Sequence, residues 1–155
     1  MDTSTTQSTA TATARRGIFS ILVLLALVLA VTAQLVTGFW LAAQPGGVLL
    51  MVHVGVGVLA ILLVIAEWAW LLAAPAGRVK LAGFFGRGTG LAQWSEGLFL
   101  IAVTLTVIAG ALLAAIMRLG ANLPFGPLLE SHRALAVIVA VLYLLHSAYA
   151  MRRNK

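Results

Sequence analysis

Four long runs almost free of charge constrain this chain more than any other feature. They extend from Gly17 to about Ala43, from Gly47 to about Ala74, from Gly97 to about Met117 and from about Ala134 to Met151. Each is close to or above the ~20 residues an α-helix needs to cross the hydrocarbon core of a bilayer, where a helix satisfies its own backbone polar groups. The sequence therefore predicts an all-α, integral membrane four-helix transmembrane bundle. Its helices fall at about 17–43, 47–74, 93–117 and 128–151, within one domain spanning 17–151. Of the 155 positions, 62% are hydrophobic and 9% charged, and no second region of different composition is left for a separate soluble catalytic domain.

The connectors carry the expected breakers. Gln44-Pro45-Gly46-Gly47 reads as a tight turn, Pro75 to Gly90 as a glycine-rich loop, and Gly120 to Pro127 as a turn with two prolines. Basic residues cluster at Arg15 and Arg16, at Arg78, Lys80 and Arg87, and at Arg152, Arg153 and Lys155, whereas the other two connectors bring only Arg118 and Arg133. The positive-inside rule then places both termini and the middle loop in the cytoplasm, an N-in/C-in arrangement. Phe39 and Trp40 mark the outer interface, and Trp68, Trp70, Trp94 and Tyr149 the inner one. The Thr- and Ser-rich residues 1–16 read as a disordered cytoplasmic tail, and 152–155 as a basic one. Paired arginines before an apolar core also suit a signal peptide, but the apolar run continues well past the ~7–15 residues of such a core.

The net charge of +6 lies in these flanks and not on one basic face, so it reports topology and argues against a nucleic-acid partner. The chain has no Cys, which removes disulfides, thiolate zinc sites, iron–sulfur clusters and covalent c-type haem attachment. Any redox centre has nitrogen or oxygen ligands. No nucleophile–base array, phosphate loop or metal-hydrolase motif is present.

Ionisable side chains inside spans are costly in lipid and usually mark a site. The few here are His53 and Glu67 on the second span and His132 and His146 on the fourth. Counted from the cytoplasmic ends of two helices running the same way, His53 is 75 − 53 = 22 residues up and His132 is 152 − 132 = 20. At 1.5 Å per residue they differ in depth by about 3 Å. Two neutral imidazoles at one level suit both axial positions of an intramembrane haem. Gly55 and Gly57, just beyond His53, would let a flat macrocycle approach the backbone, although glycine also serves ordinary close packing of membrane helices.

His146 lies 14 residues beyond His132, within roughly 40° of the same face and ~21 Å along the axis. That spacing suits an inner haem, but no fourth His exists to complete it. The matching position on the second helix is Glu67, which could accept a hydrogen bond from His146 or snorkel to the interface between Trp68 and Trp70. One haem is better supported than two. Structural histidines, each bonded to a neighbouring helix, are the rival reading of all three imidazoles.

Glu130-Ser131-His132 followed by Leu144-Leu145-His146-Ser147-Ala148-Tyr149-Ala150, together with Val52-His53, Gly55 and Gly57, resembles the corresponding helices of bacterial four-helix b-type cytochromes of the cytochrome b561 kind. The resemblance implies a bacterial cytoplasmic membrane and an outer haem b on His53 and His132. It also implies an inner haem on His146 and a histidine near the start of the first helix, where this chain has Phe19. The layout is similar as well to four-helix bacterial membrane families with one His on each of the second and fourth helices.

The function expected is electron relay through one haem between the second and fourth helices, with a quinol or a periplasmic redox protein as partner. A cofactor-free scaffold or accessory subunit of a hetero-oligomeric membrane complex is the alternative, packing through small residues such as Gly110-Ala111 and Ala114-Ala115. A proton or small-solute transporter using Glu67 and His146 has less to recommend it, since four short helices show no broken segment and no paired repeat.

Overall fold

The computed structural model describes residues 3–44, 46–84, 86, 91–120 and 124–153, with backbone alone at 3–17, 19, 20, 92, 146 and 149–153. It is all-helical: α1 Thr3–Ala43, α2 Gly47–Ala73, α3 Pro75–Phe84, α4 Leu91–Leu119 and α5 Phe125–Arg153. Four stretches, Ile21–Ala43, Gly47–Ala73, Gln93–Leu119 and Phe125–Leu145, are long and apolar enough to cross a membrane. Leu22, Leu25, Leu29, Leu62, Ile65 and Leu144 are each more than half exposed on their outer faces. Contiguous apolar surface on this scale would be untenable in water and is what a lipid-facing bundle presents.

Packing joins α1 along α2, α4 along α5, and the two pairs through α2 and α4. The core gathers toward α3, where Leu27 and Val31 of α1 meet Val64 and Leu71 of α2, Phe84 of α3, Phe99, Leu100 and Val103 of α4, and Val139 of α5. Trp68 adds a polar link, donating from Nε1 to Thr104 Oγ1 at 3.0 Å. In lipid, where helices gain little from the hydrophobic effect, such contacts and close packing hold spans together. Gly120, with φ 63°, takes the left-handed conformation that ends α4, and its N–H closes on Ile116 O at 3.0 Å.

Two segments differ from what the sequence predicts. The loop expected from Pro75 to Gly90 opens with a ten-residue helix, α3. Ala74, forced to extended geometry (φ −80°, ψ 139°) by the proline after it, ends α2, and Pro75 then starts a new helix, a position its missing N–H suits. Arg78 Nε caps the junction by donating to Leu72 O at 2.8 Å. At the other end, helical backbone runs back to Thr3 through residues 3–16, which the composition assigns to a disordered tail. Ala10, Ala12 and Ala14 are strong helix formers there, and extending an existing helix avoids the cost of nucleating one.

Gly77 is what lets α3 dock. A Cβ there would lie 2.3 Å from Trp70 O and 2.8 Å from Leu71 Cα, both backbone atoms that cannot swing aside. Gly77→Ala should therefore cost about 1–3 kcal/mol of stability through overpacking, measured by thermal unfolding in detergent, whereas Gly83→Ala, which meets nothing within 4 Å, should be neutral.

Candidate functional site

In the half of the bundle nearer the α1–α2 turn, the four long helices surround a cavity of about 460 Å³. Its walls are apolar apart from Gln34, His53, Thr106, His132 and Arg133. The size falls in the range of small-molecule and cofactor sites, ~300–1,000 Å³. His53 of α2 and His132 of α5, matched in depth by the sequence, meet here with ring centroids 6.3 Å apart and planes at 84°.

Each imidazole is seated in the same way on a neighbouring helix. His53 lies against α1 at Gly38, where a Cβ would come within 3.2 Å of its Cε1, and its Nδ1 is 2.9 Å from Thr37 Oγ1. His132 lies against α4 at Gly110, where a Cβ would come within 3.1 Å of its Cε1, and its Nδ1 is 3.0 Å from Thr106 O. A side chain at either glycine would push the ring away from its partner atom.

The contact of His132 defines its tautomer: a carbonyl oxygen only accepts, so neutral His132 carries its proton on Nδ1 and donates it to Thr106 O. Thr37 Oγ1 lies 2.7 Å from Ala33 O, 3.3 Å from Gln34 O and 2.9 Å from His53 Nδ1; with its proton given to a carbonyl, Oγ1 accepts from His53 Nδ1–H, and that tautomer leaves Nε2 unprotonated on both rings. Neither Nε2 has a hydrogen bond among the described residues. A ring nitrogen held by a hydrogen bond while the other stays unprotonated is the usual state of a metal-ligating histidine.

Two imidazoles on opposite sides of one ion, each bonded at about 2 Å, would have ring centres about 6.4 Å apart; the centroids here are 6.3 Å apart, with the rings edge-on at 84°. Among the described residues no group of three or more His, Asp or Glu gathers at one point.

The remaining residues singled out in the sequence fall differently. Gly57 lines the cavity, facing the Gln34 amide, with 3.3 Å between a Cβ there and Nε2. Gly55 does not line it: it is exposed and meets nothing within 4 Å, because two residues along a helix is a turn of ~200°, away from His53. The side chain of His146 lies outside the described residues. Glu67 is buried and paired with Lys80 of α3 at 3.7 Å, far from the cavity walls. Gln34, Thr37, Gly38 and Thr106 went unselected in the sequence, and Gly110 was singled out only as a packing residue for a partner helix. A usable signal was that Gln34 and Thr37 are polar, three residues apart and so on one face of an otherwise apolar helix. Gln34 donates from Nε2 to the His53 carbonyl, tying α1 to α2 at the level of the ring.

Compared with known proteins, the chain matches no family model, no curated protein and no solved structure.

Proposed function

We propose that this chain is a b-type cytochrome of the bacterial cytoplasmic membrane, with both termini inside, that holds one haem b between His53 and His132 near the outer face and relays electrons. The observation that carries the reading is the imidazole pair, 6.3 Å apart beside a cavity, with both Nδ1 atoms bonded to protein. The haem supplies one-electron chemistry at its iron. The chain's own residues supply the rest. His53 and His132 ligate, Thr37 and the Thr106 carbonyl orient them, Gly38 and Gly110 make room for the rings, and the apolar wall excludes water. Arg133 lines the cavity, half exposed and paired with Glu130 at 3.0 Å, an exposed ion pair that acidic groups on the rim of a cofactor would compete for. The orientation rests on the basic flanks.

A cofactor-free scaffold accounts less well for two imidazoles that both keep an unpartnered lone pair beside a cavity. One haem, not two, is proposed, since the first helix lacks a histidine. The electron donor is then a quinol in the membrane, or the partner is a periplasmic redox protein or a larger membrane complex. In proteoliposomes, reduced quinol should reduce the haem, and an impermeant external oxidant should reoxidise it within the same preparation. A haem that neither reagent reaches would refute relay.

Thr37→Val keeps the shape of the side chain but removes the acceptor of His53 Nδ1–H. By the usual cost of losing such an outer-shell partner, haem affinity should fall ~10–100-fold, with Thr37→Ser retaining it, as read by haem titration of the apoprotein.

A further inference from the structure

At the other end of the bundle a second group of ionisable side chains has no part in the haem site. Glu67, on the fourth turn beyond His53, is 2% exposed inside the second span. Its Oε1 lies 3.7 Å from Lys80 Nζ, and its Oε2, fully buried, has no hydrogen-bond partner among the described residues. Lys80 reaches in from α3 and is held closer to Glu96 of α4, with Nζ 2.6 Å from Glu96 Oε1. Trp70 and Phe84 each present a ring 5.7 Å from the ammonium. Of the described titratable side chains, Lys80 and Glu96 are those that bear on Glu67.

Counting charge gives two carboxylates against one ammonium. Fully ionised, the cluster carries a net negative charge in a setting where unpaired charge is expensive. The ammonium sits against Glu96, and the aromatic rings stabilise the cation without neutralising a second anion. One proton restores neutrality. The lysine and Glu96 side chains are 27% and 26% exposed, so the cluster communicates with solvent although Glu67 does not.

We propose that Glu67, Lys80 and Glu96 form a proton-binding site that holds one exchangeable proton on the buried Glu67 carboxyl, loaded from the α3 side by way of Glu96 and Lys80. The uptake is a simple association: a proton from water joins a Glu67 carboxylate oxygen, and the Lys80–Glu96 ion pair is left intact. The site is independent of the haem reading, because its residues lie outside the cavity.

Infrared spectroscopy of the purified full-length protein tests it. At neutral pH the wild type should show the C=O stretch of a protonated carboxyl, shifted in heavy water. Glu67→Gln should abolish the band. Glu96→Gln should abolish it too, although Glu67 is still present, because the Glu67–Lys80 pair is then neutral without the proton. Lys80→Met should retain the band and strengthen it, since two carboxyls then lack a counter-ion. Circular dichroism identifies any variant that fails to fold, and the Glu96→Gln and Lys80→Met arms move the band in opposite directions, which misfolding does not. Absence of the band from wild type, or its survival in Glu67→Gln or unchanged intensity in Glu96→Gln, would overturn the proposal.

Discussion

If one haem sits between His53 and His132 as proposed, alanine at either position should leave the purified protein colourless, with the reduced-minus-oxidised haem spectrum expected of the wild type lost in both variants. The loss should be near complete, because a low-spin haem held by two axial imidazoles has no other histidine among the cavity-lining residues to replace one of them, the remaining polar lining being Gln34, Thr106 and Arg133. A histidine with only a structural role behaves differently. Its hydrogen bond to a neighbouring helix contributes about 0.6–2 kcal/mol, so its removal lowers thermal stability and leaves any absorbance untouched. His146→Ala separates the cases further and should keep the full spectrum, since the chain has no fourth histidine to make an inner pair.

Valine at Gly38 or Gly110 should come close to the same loss with both histidines in place. A Cβ alone reaches 3.2 or 3.1 Å from the imidazole Cε1, and the branched side chain drives the ring off its Nδ1 partner and into the space the macrocycle needs. Overpacking of this sort costs about 1–3 kcal/mol, equivalent to a roughly 5–150-fold weaker site. Haem titration of the apoprotein gives the number. Gly55→Val is the control: that position is open, and the variant should bind haem as the wild type does.

The four long apolar helices were legible because their length and lack of charge mark them: no soluble helix needs twenty apolar residues in a row, and the connectors carry proline and glycine. The meeting of His53 and His132 was legible for a similar reason, as depth in a membrane can be counted from the span ends at a fixed rise. What seats the rings was not. Gly38, Gly110, Thr37 and Thr106 lie on α1 and α4, and glycine and threonine are ordinary packing residues of membrane helices, so their use depends on which helix each histidine faces. Gly55 was attractive by proximity in sequence, yet helical rotation turns it outward. Helix α3 was hidden because Pro75, Gly77 and Gly83 read as loop punctuation, whereas Pro75 begins a helix and Gly77 lets it lie on α2. Its Lys80 then pairs with Glu67, a partner that no spacing along a single helix reveals.

The central claim is one haem between His53 and His132, and the most direct measurement is the haem content of the protein purified from haem-replete cells, by pyridine haemochrome against protein mass, alongside its visible spectrum. A b-type α band at one haem per chain is the expected result; a protein that carries none, or two, would contradict a single site between His53 and His132.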